Sequence, residues 1–281
     1  MISAKSILSS VNKETHKRID TLQLRFPRFI LAQFNTHRVF SRNAASSRAI
    51  PTAKLIEQVR TDPVVPLRWG RNRPGMQATE DLSAPEQDRA LSAWLRARDA
   101  ALSEAEFLAD LGVHKQVVNR ILEPYLHVDV IVTATEWDNF FSLRLDDAAQ
   151  PEIQELARQM KAALDGADVV EMGPGDWHIP YITEEEHYLV TVGALPKTRL
   201  LSFSAARCAR VSYLNHDQTA PDPEKDLALA GRLLAHKHMS PFEHQALAYF
   251  PARTSYLEDL QRNFTGGWAQ HRAMLESGFL E

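Results

Sequence analysis

Residues 33–48 read Gln-Phe-Asn-Thr-His-Arg-Val-Phe-Ser-Arg-Asn-Ala-Ala-Ser-Ser-Arg, and this stretch determines how the rest of the chain is interpreted. Residues 27–34 predict a short helix led by its proline, which fixes φ where no amide donor is needed. The residues after this helix are predicted to form a loop. Its arginines can bind phosphate or carboxylate oxygens, and its serines and asparagine can donate to a ring or a phosphate. The alternative is a solvated loop with capping serines.

The spacing of the polar residues favours a functional loop. The pattern His-Arg-x-x-Ser-x-Asn-x-x-Ser-x-Arg resembles the signature of the flavin-dependent thymidylate synthases, the ThyX family. The matching positions are His37, Arg38, Ser41, Asn43, Ser46 and Arg48. Two positions depart from the family: Thr36 stands where it has its first arginine, and Ala44 where it has glutamate.

A second block, residues 139–153, resembles another signature of the same family, Asn-Phe-x-x-Leu-Arg-x-Asp-x-x-Ala-Gln-x-Glu-Ile. The matching residues are Asn139, Arg144, Gln150 and Glu152, whereas Ala148 replaces a histidine often found in the family. Apolar residues from 153 to 164 recur at helical spacing, so residues 143–165 are predicted to form a helix that ends before Gly166.

A third block lies after the other two. It contains Ala-Ala-Arg-Cys-Ala-Arg-Val-Ser (205–212), a helix opened by Asp222, and His-Lys-His-Met-Ser-Pro-Phe-Glu-His (236–244). The family has an Ala-Arg-Val-Ser opening, a helix and a similar histidine turn before its Arg-His-Arg segment. The resemblance therefore implies a circular permutant, in which packing is kept although chain order changes.

The expected architecture is one α+β domain, residues 1–281, with a ThyX-like, mostly antiparallel central sheet flanked by helices. Residues 1–165 hold the central and C-terminal family blocks, 166–200 form a connector, and 201–281 hold the family's N-terminal block. Alternating apolar residues predict a half-buried strand over 19–26. The permutation implies that the strand after His244 pairs near it, and that His238 and Ser240 share a flavin pocket with His37 and Arg38.

Local signals place the remaining elements. Residues 50–82 are rich in proline, glycine and arginine and are interpreted as a long surface excursion. Ser83 and Glu86 form a capping box for a helix that ends at Gly112. A second helix is predicted over 114–121, and residues 128–135 are compatible with helix or strand.

The composition restricts the class of protein. A formal net charge of −4 and a pI near 6.3 give no basic field for a nucleic-acid polymer, so any phosphate must be held by local arginines. No apolar run approaches the roughly 20 residues that cross a bilayer, and the N-terminus lacks the apolar core of a signal peptide. We therefore expect a cytoplasmic protein that binds a nucleotide, with no membrane or polymer partner.

Cys208 is the single cysteine, which excludes an internal disulfide and a cysteine-based metal cluster. It could be the nucleophile of a thiolate-dependent thymidylate synthase, but its alanine-rich setting favours a small buried residue. His178 and His187 lack regularly spaced further ligands and are interpreted as surface histidines, so no metal site is predicted.

The family resemblance implies a reaction in which dUMP becomes dTMP. FAD is the implied cofactor, NADPH its reductant and methylenetetrahydrofolate the carbon donor, without an enzymic cysteine nucleophile. The implied assembly is a homo-oligomer, a tetramer whose active site lies between subunits. Two alternatives stay open: hydroxymethylation or another one-carbon transfer to a pyrimidine deoxynucleotide, suggested by Thr36 and Ala44, and an inactive flavin- or nucleotide-binding homologue.

Roles are carried over position by position. Catalysis is assigned to Arg144, Ser46 and His238. Substrate binding is assigned to Gln33, Ser46, Arg48, Arg120 and Arg144, with Arg48 and Arg120 suited to phosphate and Arg144 to a uracil carbonyl. FAD binding is assigned to His37, Arg38, Ser41, Asn43, Asn139, Ser212, His238 and Ser240.

Overall fold

The computed structural model describes residues 1–212 and 219–280. The strands are β1 (Ser3–Asn12), β2 (Arg18–Pro27), β3 (Ser41–Ala44), β4 (His127–Ala134), β5 (Val169–Met172), β6 (Trp177–His178), β7 (Ala246–Ala248) and β8 (Trp268–Gln270). The helices are α1 (Leu31–Phe34), α2 (Thr52–Thr61), α3 (Ala84–Asp110), α4 (Lys115–Leu122), α5 (Asp138–Arg144), α6 (Pro151–Asp165), α7 (Glu184–Thr191), α8 (Lys197–Arg210), α9 (Pro223–Ala235) and α10 (His271–Glu276).

A five-stranded sheet in the order β3-β4-β2-β1-β5 forms the centre of the molecule. Its pairings are antiparallel except for the parallel pair of β1 and β5, which confirms the predicted α+β class with a mostly antiparallel sheet. The undecided segment 128–135 is strand β4, and almost every residue in it is buried, so it lacks the alternation that marks a half-exposed strand.

The stretch 33–48 is not a continuous loop as predicted. Residues 28–34 do form one 3₁₀ turn and the short α1, but residues 41–44 form β3, which pairs with β4 in the register Ser41 to Thr133. Its polar residues concealed the strand, because an edge strand with half-buried side chains lacks a clear apolar face.

Helix α6 covers one face of the sheet, where apolar side chains from β2, β4 and α6 form the largest core cluster. The predicted helix over 143–165 is interrupted. Helix α5 ends at Arg144 and α6 starts at Pro151, because a proline restricts the preceding residue to extended backbone, here ψ 136° at Gln150. The interruption leaves residues 145–150 as a turn beside the start of α6.

A second cluster lies among α2, α3 and α4. The capping box of Ser83 and Glu86 and the end of α3 before Gly112 are confirmed, and Gly112 has φ 79°. The excursion prediction for 50–82 is wrong over 52–61, where α2 buries one apolar face. Prolines and glycines later in the segment obscured this short periodic run.

The connector and the C-terminal block build a smaller sheet in the order β6-β7-β8. The strand after His244 is β7, and it pairs with β6 and β8 rather than near β2, so that prediction is wrong. The two sheets are joined by packing instead: Ile19 of β2 shares an apolar cluster with Ala246 and Ala248 of β7. The histidine block therefore lies against the central sheet without extending it.

A line of buried polar groups connects the two sheets. Ser10 Oγ lies 2.9 Å from His178 Nδ1, His178 Nε2 lies 2.8 Å from Thr21 Oγ1, Thr21 Oγ1 lies 2.7 Å from Thr133 Oγ1, and Thr133 Oγ1 lies 2.9 Å from His244 Nδ1. All five residues are fully buried, so the prediction of a surface His178 is wrong. Burial lowers the pKa of both histidines to about 3, and both are neutral.

Within the described ranges 1–212 and 219–280, no helix has the length and apolarity needed to span a bilayer. The same residues contain no group of three or more histidine, cysteine, aspartate or glutamate side chains arranged to hold a metal ion.

Candidate functional site

A pocket of about 500 Å³ lies where α1, the end of α5 and the start of α6 meet the segment 68–78. Its lining comprises Gln33, Arg68, Gly70, Met76, Gln77, Ala78, Arg144, Asp147, Ala148, Ala149, Gln150 and Pro151. The structure thus brings together Gln33 and Arg144, which are more than a hundred residues apart in the chain. The N-terminus of α6 also faces this space through Gln150 and Pro151, and a helix N-terminus favours negative charge.

Arg144 is fixed by a histidine of the first signature. Its Nε donates to Nε2 of the buried His37 at 3.0 Å. The His37 ring packs against Phe40 and Phe140, with ring centroids 5.8 Å and 4.9 Å away. Burial, together with the charges of Arg144 and Arg42, lowers the pKa of His37 to about 4.

A neutral His37 determines what Arg144 can do. Since Nε2 accepts the hydrogen bond, the imidazole proton resides on Nδ1. Only Nε of the guanidinium is used in this contact. The contact holds the side chain in place, so the two terminal nitrogens can form a planar pair of hydrogen bonds with a bound ligand. The geometry suits recognition of a carbonyl or an oxyanion.

Gln33 is positioned by a chain of hydrogen bonds that ends on a buried carboxylate. Gln33 Nε2 donates to Gln150 Oε1 at 2.6 Å, and Gln150 Nε2 donates to Glu152 Oε2 at 2.9 Å. The other oxygen of Glu152 accepts from the backbone N–H of Leu67 at 3.0 Å. Glu152, which is 3% exposed, therefore connects the pocket side chains to the segment that covers them.

The other residues predicted to bind substrate lie outside this pocket. Arg120 donates to Glu123 Oε1 at 2.7 Å, and Ser47 Oγ donates to the same oxygen at 2.8 Å. Ser46 and Arg48, on either side of Ser47, are exposed. Within one chain, then, the predicted substrate residues form two groups, one in the pocket and one around Glu123.

The C-terminal block reaches the first signature through its histidine turn. Ser240 Oγ donates to Asn43 Oδ1 at 2.9 Å, and Asn43 Nδ2 donates to the backbone carbonyl of Cys208 at 3.0 Å. His238 is exposed after α9, and Ser212 is half-buried after α8, where its N–H donates to the carbonyl of Arg207. The contact of Ser240 with Asn43 joins segments that lie about 200 residues apart.

Ser41 occupies the interior rather than a surface. It is fully buried, and its Oγ accepts from Asn263 Nδ2 at 3.0 Å and from Gln270 Nε2 at 3.2 Å. By contrast, Arg38 and Asn139 are exposed. Among the residues predicted to bind FAD, Arg38 and Asn139 are therefore accessible to a ligand. Ser41 instead forms hydrogen bonds with the C-terminal segment.

Sequence reasoning missed Arg68, Asn263 and Gln270. Arg68 lies in the segment interpreted as a surface excursion, and no local pattern distinguished it from its neighbouring arginines. No local pattern indicated that Asn263 and Gln270 bond to Ser41, which lies more than 220 residues earlier in the chain.

Comparison with known proteins gives one family and several solved structures. The family model described as "Thymidylate synthase complementing protein" matches residues 19–167. A UMP/dUMP methylase PolB from Streptomyces cacaoi bound with 5-Br UMP is 20% identical, covers 58% of this chain and 88% of its own, and has a TM-score of 0.47. The same methylase bound with 5-Br dUMP is 18% identical, with 58% and 90% covered and a TM-score of 0.46. A search among curated proteins finds no significant match.

Proposed function

The chain belongs to the thymidylate synthase complementing protein family, and on that premise we propose that it is a flavin-dependent thymidylate synthase that converts dUMP to dTMP. The observation that carries the proposal is the pocket lined by Gln33 and Arg144, with Arg144 fixed by the neutral His37. Two separate signature segments supply the parts of one site, as expected if both signatures serve the same substrate.

Arg144 is the residue to which we assign pyrimidine binding and activation. Its terminal nitrogens can bind a uracil carbonyl, and its permanent charge stabilises the negative charge that develops on the ring oxygen during carbon transfer. Because His37 is neutral, it fixes Arg144 without withdrawing that charge. Gln33, held by Gln150, supplies a second amide for the ring or the sugar.

The exposed donors Arg38, Asn139 and His238 fit an anionic, ring-containing cofactor such as FAD. A guanidinium binds pyrophosphate oxygens, and amide and imidazole groups bind ring edges. When bound, FAD would carry hydride from NADPH, with methylenetetrahydrofolate as the carbon donor. The buried Cys208, whose thiol pKa burial raises to about 12, is unsuited to act as the nucleophile of a thiolate mechanism.

A second copy of the chain completes the site in this proposal. Ser46, Arg48 and Arg120 lie outside the pocket of their own chain, so another subunit would bring the phosphate-binding arginines to it. This supports a homo-oligomer, a tetramer by analogy with the family. The bond between Ser240 and Asn43 supports the circular permutation, because it joins the C-terminal block to the first signature. A cytoplasmic location remains part of the same proposal.

One alternative reaction is favoured by a particular pair of residues. Thr36 uses its Oγ1 to donate to the carbonyl of Gln33 at 2.7 Å, and the exposed Ala44 ends β3. Neither supplies the charge that the family has at these positions. A one-carbon intermediate that is held less strongly could react with water instead of hydride, which would give a hydroxymethylated pyrimidine nucleotide.

The test combines a spectrum, a reoxidation assay and a product mass. Purified protein loaded with FAD should absorb near the flavin maxima. In the absence of oxygen, its NADPH-reduced form should be reoxidised only when dUMP and methylenetetrahydrofolate are present. Product heavier than dUMP by one methylene identifies methylation, and an additional oxygen identifies hydroxymethylation. Arg144→Gln should retain the flavin spectrum and lose dUMP-dependent reoxidation. Protein that cannot be loaded with FAD refutes the proposal. FAD binding with neither reoxidation nor a heavier nucleotide product identifies an inactive homologue, because hydroxymethylation consumes water and leaves the flavin reduced.

A further inference from the structure

Residues 67–82 form a hairpin-like segment, here called the pocket hairpin. Its two arms are joined by backbone hydrogen bonds from Arg71 N to the Glu80 carbonyl, 2.8 Å, and from Leu82 N to the Trp69 carbonyl, 2.9 Å. A bridge between Gly70 and Asp81 lies between them. The arms are therefore paired at the base, while Met76 near the tip is fully exposed.

The base of the pocket hairpin is attached to the rigid part of the site. The N–H of Leu67 donates to the buried Glu152 on α6, the same residue that orients Gln150. The Trp69 ring meets Trp94 of α3 edge to face, with ring centroids 6.4 Å apart. These two attachments fix where the hairpin's first residues, and so Arg68, lie relative to Gln33.

Arg68 contributes a second guanidinium to the pocket lined by Arg144. At present its Nε donates to Asp81 Oδ1 at 2.5 Å, and the two side chains are 40% and 45% exposed. Exposed ion pairs contribute little net stability, so this pair opens readily when a more highly charged oxyanion is offered. Two other arginines of the hairpin point elsewhere: Arg71 pairs with Glu86, and Arg73 donates to Thr79.

We infer that the pocket hairpin is the specificity element of this site, and that Arg68 exchanges Asp81 for the 5′-phosphate of a pyrimidine nucleotide whose base is held by Arg144. The inference rests on the proposed function and deepens it. It assigns phosphate recognition in part to a segment inside the same chain. It also assigns Asp81 the role of an internal competitor that keeps Arg68 in place before the nucleotide binds.

The test is calorimetric binding to the full-length protein, with dUMP, deoxyuridine and 5-formyltetrahydrofolate as the probes. Arg68→Gln should weaken dUMP binding about tenfold or more while leaving deoxyuridine binding unchanged, because only the phosphate contact is lost. Asp81→Asn should strengthen dUMP binding several-fold by removing the competitor. The matched control is Arg73→Gln, an exposed arginine of the same hairpin outside the pocket lining, which should leave all three affinities unchanged.

The outcomes separate the two levels of the proposal. Wild-type protein that binds no dUMP overturns both the proposed function and the assignment of Arg68. Wild-type protein that binds dUMP, together with an Arg68→Gln variant of equal affinity, overturns the assignment alone. If Arg68→Gln weakens only 5-formyltetrahydrofolate, the oxyanion that it recognises is a folate carboxylate, and the phosphate assignment is wrong. Thermal unfolding of each variant verifies that it is folded.

Discussion

Mild acid should unfold this protein through its buried histidines. His37, His127, His178, His244 and His271 are all buried. Burial is the main cause that lowers their pKa values, to about 4 for His37, His127 and His271 and to about 3 for His178 and His244. The folded state therefore holds them neutral where the unfolded chain, with a histidine pKa of about 6.5, takes up protons.

The sign and size of the effect follow from linkage. Stability is complete above about pH 6.5 and falls as the pH is lowered towards 4, because the unfolded state binds more protons in that window. Below the unfolded pKa of about 6.5, each such histidine costs about 1.4 kcal/mol per pH unit. Moving from pH 7.5 to 5.5 crosses about one unit of that range and removes roughly 7 kcal/mol for the five together. That is comparable with the whole stability of a domain, about 5–15 kcal/mol.

Two buried carboxyl groups act in the opposite direction. Burial raises the pKa values of Asp20 and Asp129, so the folded state takes up protons on these groups before the unfolded chain does. Their contribution offsets part of the loss at the acid end of the window. The net effect remains destabilising between pH 6.5 and 5.5, because five buried histidines act in one direction and two buried carboxyl groups in the other.

Urea unfolding at pH 7.5, 6.5 and 5.5 measures the effect, and the slope of the free energy of unfolding against pH gives the number of protons taken up. The five histidines alone would give four to five protons near pH 5.5, and protons held by the two buried carboxyl groups in the folded state lower the net number to between about two and five. Replacing the exposed His236 with glutamine is the control and should leave the slope unchanged. A slope of fewer than about two protons, or a gain in stability on acidification, would show that the buried rings are not held neutral.

Three substitutions test other contacts. His37→Phe keeps an aromatic ring but removes the acceptor of Arg144, so dUMP affinity measured by calorimetry should fall about tenfold, and an unchanged affinity would contradict the positioning role. Cys208→Ala should retain turnover, and loss of turnover in a folded variant would restore the nucleophile hypothesis. In the native protein, the Cys208 thiol should react with a disulfide reagent only after unfolding. Ser83→Ala removes a capping box and should lower the free energy of unfolding by about 1 kcal/mol, whereas no change would mean that the cap of α3 is dispensable.

Elements with local causes were predictable from the sequence. The cap at Ser83 and the strand over residues 19–26 depend on near neighbours in the chain, and both were confirmed. The predicted alternation in burial holds only over residues 22–26, because Asp20 and Thr21 are buried as well. The pocket residues Gln33 and Arg144 were found because family signatures record them. These features need no knowledge of distant contacts.

Features that depend on distant partners were missed. The burial of His178 is possible only because Ser10 and Thr21 satisfy its ring, and neither is near it in sequence. Strand β7 has Ala-Leu-Ala, which does not indicate which sheet it joins. Arg68 lies at the pocket because Glu152 holds the backbone of its neighbour Leu67 and Trp69 packs against Trp94.

We expect the line of buried polar groups between the two sheets to make the unfolding of those sheets cooperative. A fragment limited to residues 19–167 would contain Thr21 and Thr133 but lack Ser10, His178 and His244, so the end hydroxyl groups would lose their imidazole partners. Buried polar groups without partners are costly, so we expect such a fragment to be less stable than the same residues in the intact chain. Native-state hydrogen exchange should accordingly show the amides of β2, β4 and β6 exchanging through a single opening of the molecule, with no smaller unit released first.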